Sequence, residues 1–167
     1  MTSDARSLRP GSIAEELHQR RPFHSVGQEA LLALLRTADA ARRRTEAALA
    51  AEGVTLQQYN VLRILRGSRP QGLPTLEIGE RMIERTPGVT RIIDRLERKG
   101  WVVRQRCTED RRRIWCRITA SGMEVLERLD APVAAIDNAL IDALGDDRLR
   151  RLITLLDDLR TELGAID

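Results

Sequence analysis

Apolar residues recur every three or four positions over most of this chain, and this spacing predicts a mainly helical protein. Helices are expected at about residues 13–17, 27–51, 55–65 (with Thr55 as its cap), 75–83, 86–99, from 121 onward and from 146 onward. A loop rich in Gly and Pro lies over residues 66–74. The long helix from Ser121 is expected to bend or break near Pro132, because proline removes a backbone donor.

Two short segments, residues 102–107 and 113–118, are predicted to be strands on either side of an Arg-rich turn. A helix followed by a basic hairpin is the layout of a winged helix-turn-helix, in which the helix enters a DNA groove and the hairpin, or wing, contacts DNA beside it. The predicted fold class is therefore mainly α, with a winged helix-turn-helix whose wing has two to three strands.

The helix over residues 86–99 is the candidate DNA-reading element. Thr86 and Pro87 have the residue types of a helix cap and a first helical position, and Lys99 followed by Gly100 marks the end. Opposite the apolar side, short hydroxyl and long guanidinium groups suit base edges and phosphates. Taken alone, this polar face is equally compatible with an ordinary solvated helix surface.

The distribution of charge favours the DNA interpretation. Residues 81–117 contain twelve Arg or Lys and five Asp or Glu, a local balance of +7 in a chain whose total is +3. The remaining residues are therefore net negative. Positive charge is concentrated where the helix and the wing are predicted, as an electrostatic footprint for nucleic acid requires.

Several motifs in this region resemble those of one family, the MarR-type transcriptional regulators. The wing sequence DRR at residues 110–112, with IT at 118–119 and Gly122, resembles the family's D-R-R…L-T-x-x-G signature. Its helix-turn-helix is similar to LEIGERM at 76–82, PGVTR at 87–91 and DRLERKG at 94–100. The resemblance implies a winged helix-turn-helix flanked by N- and C-terminal helices that form a dimerisation region.

The expected DNA contacts divide between the helix and the wing. Arg91 or Arg95 is the candidate for a bidentate contact to guanine in the major groove, with Thr90 beside them. The backbone at Gly88 is expected to meet a phosphate at the helix N-terminus. The full predicted set is Thr86, Gly88, Thr90, Arg91, Arg95, Arg98, Arg104, Asp110, Arg111, Arg112 and Arg113.

Within the wing, Arg112 is expected to enter the minor groove or to lie along its edge, where the potential is negative. Arg104, Arg111 and Arg113 are expected to contact phosphates or only to add to the local field. By resemblance to the family, Asp110 holds a wing arginine in place.

The terminal helices carry apolar residues at heptad spacing, which is typical of a helical partner interface. The two rows are Leu126, Leu129, Val133, Ile136 and Leu140, then Leu149, Leu152, Leu156, Leu159, Leu163 and Ile166. A homodimer interface is the preferred interpretation, and packing against the long N-terminal helix of the same chain is the alternative. The predicted domains are residues 1–26 (tail and short helix), 27–54 with 121–167 (dimerisation) and 55–120 (DNA binding).

The sequence indicates little about regulation. The resemblance implies a small aromatic or anionic effector, and Tyr59 is either part of its pocket wall or an ordinary core residue. Cys107 and Cys116, on the two wing strands, either face each other as a redox pair or are two small half-buried residues. His18 and His24 lack neighbours at metal-ligand spacing, so we expect no metal and no cofactor.

Composition excludes several classes of function. With 2% aromatic residues the chain has few groups on which to stack unpaired bases, and no run of eighteen apolar residues suggests a transmembrane helix. No signal-peptide core and no disulfide framework are present, so a cytoplasmic location is expected. No nucleophile–base pair or phosphate loop indicates an enzyme.

The sequence thus predicts a homodimeric regulator on a pseudo-palindromic duplex site, most often a ligand-responsive repressor. The alternatives are a non-specific architectural nucleic-acid-binding protein and a winged-helix protein-interaction module.

Overall fold

The computed structural model describes residues 11–84, 87–106 and 114–164. The helices and strands, in chain order, are α1 (Ile13–Glu16), α2 (Val26–Leu49), a 3₁₀ turn (Ala50–Glu52), α3 (Leu56–Gly67), β1 (Leu73–Pro74), α4 (Thr75–Glu80), α5 (Val89–Arg98), β2 (Val102–Arg106), β3 (Ile114–Ile118), α6 (Ala120–Leu144) and α7 (Asp146–Gly164). The predicted fold class, mainly helical with a winged helix-turn-helix, is confirmed.

The chain divides into two compact units, Met1–Arg44 and Thr45–Asp167. In the first unit, α1 begins after its cap Ser12, whose hydroxyl accepts from the Glu15 amide. An ion pair of 3.2 Å between Arg36 Nε and Glu16 Oε2 links α1 to α2. The second unit contains the helix-turn-helix and the wing strands. The domain limits predicted from the sequence stay a prediction.

The core of the second unit is built by the end of α2, by α3, α4 and α5, by the sheet and by the start of α6. Its fully buried large side chains are Leu49, Leu62, Leu65, Ile78, Ile93, Leu96, Leu126, Leu129, Val61, Val102 and Cys116. Helix α3 starts as predicted, because the Thr55 hydroxyl accepts from the Gln58 amide and the Gln58 side chain accepts from the Thr55 amide. This reciprocal capping satisfies two amide groups that the helix itself leaves unpaired.

The sheet has three antiparallel strands in the order β1–β3–β2. On β3, Cys116 lies opposite Leu73 of β1 and opposite Arg104 of β2. Gly72 precedes β1 with a φ of +80°, and a Cβ there would collide with the Cys116 carbonyl oxygen. Only glycine combines this backbone conformation with so close an approach to β3.

Helix α5 begins later than the sequence predicts. Gly88 is its N-cap and makes no side-chain cap hydrogen bond, so the predicted cap at Thr86 with Pro87 as first helical residue is wrong. Gly88 breaks the expected first turn because glycine is, after proline, the least favourable helix residue. The predicted end is confirmed: the Trp101 amide donates to Leu96 O and the Gly100 amide to Glu97 O, with Gly100 at φ +72°.

Helix α6 runs through Pro132 without interruption, so of the bend or break predicted near that residue, the break does not occur. Leu126 and Leu129 are buried before the proline, and Val133 packs against the same core after it. This packing on both sides of Pro132 stabilises one continuous helix despite the missing backbone hydrogen bond. Within the described ranges, no helix is long and apolar enough to cross a bilayer.

Candidate nucleic-acid interface

Helix α5 presents a polar face whose residues form two parallel stripes along its axis. Val89, Ile92, Ile93 and Leu96 are buried against the core, which fixes which face points outward. One stripe consists of Thr90, Asp94 and Glu97 and is called here the acidic stripe. The other consists of Arg91, Arg95 and Arg98 and is called the arginine stripe. Each stripe follows the i, i+4, i+7 spacing that aligns side chains on a helix.

The acidic stripe is bound by a single side chain of strand β2. Arg104 Nη2 lies 2.6 Å from Asp94 Oδ1, and Arg104 Nη1 lies 3.2 Å from Glu97 Oε2. Its Nη2 also donates to the Thr90 carbonyl at 3.2 Å, and its backbone amide donates to Glu97 Oε1 at 3.2 Å. One residue of the wing therefore contacts all three members of the stripe.

The electrostatics of this cluster stabilise the charged form of Arg104. Its side chain is 23% exposed. Burial works against the charge, but the hydrogen bond to Asp94 and the charges of Asp94 and Glu97 outweigh it, so the pKa of Arg104 is raised. The sequence prediction placed Arg104 among phosphate-contacting or field-supplying residues, whereas the structure engages its guanidinium within the protein.

The arginine stripe faces solvent. Arg91, Arg95 and Arg98 are all exposed. Arg98 Nε donates to the Asp94 carbonyl at 3.3 Å, while the side chains of Arg91 and Arg95 make no ion pair or hydrogen bond within the described ranges. Two guanidinium groups are thus presented on a helix with their donors free, in the form that bidentate recognition of a base edge requires.

The turn between α4 and α5 is fixed by a residue that the sequence analysis did not single out. The Asn60 side chain of α3 accepts a hydrogen bond of 2.9 Å from the Ile83 amide. Beyond the turn, Gly88 caps α5, and a Cβ on Gly79 of α4 would meet Val89 Cγ2 at an ordinary van der Waals distance of 3.5 Å. An Asn on α3 at this position has no periodic signal, because its partner is a backbone group in a distant turn.

The signature residues after β3 have structural roles at the start of α6. Thr119 caps α6 by accepting from the Gly122 amide and donates to the Gly100 carbonyl at 2.7 Å. Ser121 donates to the same carbonyl at 2.8 Å. A Cβ on Gly122 would lie 2.8 Å from Ile118 Cγ1 and closer still to the Trp101 carbonyl oxygen. These contacts attach α6 directly to the end of α5.

The tip of the wing and the residue before Pro87 lie outside the described residues. The predicted contacts that fall there are Thr86, Asp110, Arg111, Arg112 and Arg113, and they stay predictions.

Cys116 is a buried core residue rather than an accessible thiol. Burial raises the pKa of its thiol, and its Sγ lies 3.7 Å from Thr75 Oγ1. The residue opposite it on β2 is Arg104. Cys107 lies outside the described residues, so the redox pair stays a prediction. A raised pKa lowers the thiolate fraction on which oxidation depends.

Tyr59 belongs to the hydrophobic core, with 6% of its surface exposed. The Arg63 guanidinium lies 5.8 Å from its ring centroid. Its role as a ligand-binding residue stays a prediction. In the part of the chain that the structure describes, no group of three His, Cys, Asp or Glu side chains is placed to hold a metal ion.

The C-terminal helices expose apolar side chains. The first heptad row divides, because Leu126 and Leu129 are buried in the core whereas Leu140 is 53% exposed. None of the nineteen residues of α7 is buried. Its most exposed large apolar side chains are Leu152, Ile153, Leu155, Leu159 and Leu163, each above 40%.

The MarR family model matches residues 54–114 of the chain. The HTH-type transcriptional regulator FarR of Neisseria gonorrhoeae is 30% identical over 114 residues, which are 68% of this chain and 74% of FarR. A MarR transcription factor from Planctomyces limnophilus is 38% identical, with a TM-score of 0.62, over 81% of this chain and 98% of that one.

Two solved complexes share the fold. The S. aureus MepR–DNA complex has a TM-score of 0.71 at 22% identity, over 78% of this chain and 96% of MepR. NadR in complex with 4-hydroxyphenylacetate has a TM-score of 0.66 at 27% identity, over 88% of this chain and 100% of NadR. The chain is a DNA-binding transcriptional regulator rather than an enzyme, and it belongs to the MarR family.

Proposed function

We propose that the protein acts as a homodimer in the cytoplasm and represses transcription from a pseudo-palindromic duplex site until a small effector releases it. The observation that carries the DNA-reading part is the arginine stripe. Arg91 and Arg95 are exposed, without partners among the described residues, and they stand on a helix held by the core and by Arg104. Unengaged guanidinium donors on a helix that is held in place suit the O6 and N7 acceptors of guanine.

The remaining contacts follow the same division as the sequence predictions. Gly88, at the N-terminus of α5, has no side chain to obstruct a phosphate and lies at the positive end of the helix. Arg98, at the other end of the arginine stripe, is assigned to the DNA backbone. Arg112 is assigned to the minor groove, Asp110 to holding a wing arginine, and Arg111 and Arg113 to phosphates.

The exposed apolar rows of α6 and α7 support the homodimer. An apolar surface of this extent on a charged protein marks an interaction site, and heptad spacing favours another helix as the partner. A two-fold dimer brings two α5 helices to half-sites about one turn of DNA apart. This accounts for a single reading helix in each chain.

The effector is assigned to the class of small aromatic or anionic molecules. NadR, 27% identical, is solved with 4-hydroxyphenylacetate, which belongs to both classes. The test is a titration of 4-hydroxyphenylacetate into the protein–DNA complex, followed by fluorescence anisotropy of labelled DNA. Concentration-dependent release of the DNA supports the effector assignment. Unchanged anisotropy at about 1 mM ligand contradicts the assignment for this ligand.

DNA reading is tested by footprinting the purified chain on DNA from upstream of its own gene, at two salt concentrations. Arg95→Ala and Arg112→Ala are compared with Arg21→Ala, which removes an exposed arginine between α1 and α2. A lost base contact is expected to cost about 1–3 kcal/mol of specific binding. A lost phosphate contact is expected to reduce by about one the salt slope, which is the slope of the logarithm of the binding constant against the logarithm of the salt concentration. Arg21→Ala is expected to bind like the wild type.

The outcomes separate the candidate functions. A protected two-fold-symmetric site that both Arg95→Ala and Arg112→Ala weaken supports the regulator. Salt-dependent binding without sequence preference would instead indicate an architectural nucleic-acid binder. An absence of any binding would favour a protein-interaction module.

The dimer is tested by sedimentation of Leu159→Glu, which places a charge in the apolar row of α7. Thr154→Glu, which adds the same charge to the opposite side of that helix, is the control. We expect Leu159→Glu to sediment as a monomer and Thr154→Glu as a dimer. A dimeric Leu159→Glu would place the interface elsewhere.

A further inference from the structure

Arg104 contacts two carboxylates that lie beside the arginine stripe of α5. Asp94 and Glu97 are 45% and 40% exposed at their side chains and lie one helical step from the arginine stripe. Carboxylates at this place repel the phosphates that the stripe must approach. Arg104 supplies one positive charge between the two carboxylates.

The same carboxylates compete with DNA for the arginine stripe. Asp94 is three residues after Arg91 and four residues before Arg98, the two spacings at which helix side chains form ion pairs. In the structure Asp94 pairs instead with Arg104 at 2.6 Å, and Arg91 has no partner among the described residues. Arg104 thus occupies the carboxylate that would otherwise draw Arg91 back onto the helix.

We propose that Arg104 is a positioning residue for DNA binding: it neutralises Asp94 and Glu97 and thereby leaves Arg91 available to DNA, without itself contacting DNA. The inference rests on the proposed function of α5 as the reading helix. It replaces the direct phosphate contact, one of the two roles expected for Arg104, because the guanidinium already makes three contacts within the protein.

The test is a double-mutant cycle on DNA affinity. Arg104→Gln is measured in the wild type and in an acid-neutral background that carries Asp94→Asn and Glu97→Gln. We expect Arg104→Gln to weaken binding by about tenfold in the wild type and by less than about threefold in the acid-neutral background. Arg95→Gln, the control on the neighbouring stripe, is expected to cost the same in both backgrounds.

A direct phosphate contact gives the opposite pattern. If Arg104 contacted a phosphate directly, Arg104→Gln would weaken DNA binding in the acid-neutral background as much as in the wild type, or more. The substitution would also reduce the salt dependence of binding by about one unit of slope. That pattern overturns the proposal. Equal binding by Arg104→Gln and wild type also overturns it.

A role in folding alone is recognised by measuring unfolding and binding separately. Each variant is melted by circular dichroism, and Kd is measured by anisotropy at a temperature at which all variants are folded. A lower melting temperature with unchanged Kd would show a structural role only and would overturn the proposal. Arg104→Lys keeps the charge without the forked geometry, and neutralisation predicts that it restores part of the lost affinity.

The cycle is run on the upstream site and on a random duplex at low salt, because charge neutralisation needs no particular sequence. If the wild type shows no preference for the upstream site, the proposed function fails, and the random duplex still decides the role of Arg104. If the wild type binds neither duplex, both proposals fall.

Discussion

Gly122 allows the start of α6 to lie against the end of α5, and Gly122→Ala is expected to disturb this junction. The added Cβ would lie 2.8 Å from Ile118 Cγ1 and still closer to the Trp101 carbonyl oxygen. That carbonyl accepts a hydrogen bond of 3.0 Å from the Thr119 amide, so it is held in place by backbone structure. The first turn of α6 must therefore move away.

The expected cost follows from three effects. Overpacking costs about 1–3 kcal/mol, and the stretched Thr119–Trp101 hydrogen bond costs about 1 kcal/mol more. Alanine stabilises a helix by up to about 1 kcal/mol relative to glycine, which offsets part of this. The net destabilisation is about 2 kcal/mol, which lowers the melting temperature of a chain of this size by about 4–8 °C.

The measurement is thermal and urea unfolding, followed by circular dichroism and by tryptophan fluorescence, to which Trp101 and Trp115 both contribute. Gly67→Ala is the matched control, because Gly67 ends α3 with nothing within 4 Å of its Cβ position. Both variants are compared at one protein concentration, since association changes apparent stability. Equal stability of Gly122→Ala and Gly67→Ala would refute the steric argument.

Further predictions concern a thiol, an ion pair and a cap. Because burial raises the pKa of Cys116, the thiol should resist alkylation at about pH 8 in the folded protein and react after urea unfolding. Peptide mass spectrometry locates the alkylated residue, and rapid labelling of Cys116 in the folded protein would contradict the prediction. The hydrogen bond from Arg128 lowers the pKa of Glu52, so its stabilisation should be present at neutral pH and lost as pH falls through the folded-state pKa. Melts should therefore show Glu52→Gln to be less stable than wild type at neutral pH, with a difference that shrinks as the pH falls below the ordinary glutamate pKa. A pH-independent difference would exclude this linkage. Thr55→Ala should lose the reciprocal cap with Gln58 and lower the free energy of unfolding, measured in urea, by about 1 kcal/mol. An unchanged urea midpoint would show that the cap makes no net contribution to stability.

Most of the fold could be predicted from the sequence, because its helices carry strong apolar periodicity and marked ends. The end of α5 at Lys99 and Gly100 is an example, since left-handed glycine leaves a local signal. The start of α5 was misplaced because Thr86 and Pro87 also have the residue types of a helix start. Strand β1, of two residues, is too short to produce any alternation.

The candidate site was predicted in part. The exposure of Arg91 and Arg95 follows from helical spacing alone, which the sequence contains. The contacts of Arg104 depend on how β2 packs beside α5, and no periodicity within either element records this. Sequences can nevertheless be searched for this arrangement: a helix with acidic residues at i and i+3, followed directly by a strand that contains a basic residue.

The continuity of α6 through Pro132 has a mechanical consequence. Its first turn is bonded to the end of α5 through Gly100, while its far half exposes apolar side chains such as Leu140. At 1.5 Å per residue its 25 residues form a rod about 38 Å long, so a tilt of about 10° displaces the far end by about 6–7 Å. Because α6 is continuous, a displacement of its distal end is carried toward α5, the helix proposed to read DNA.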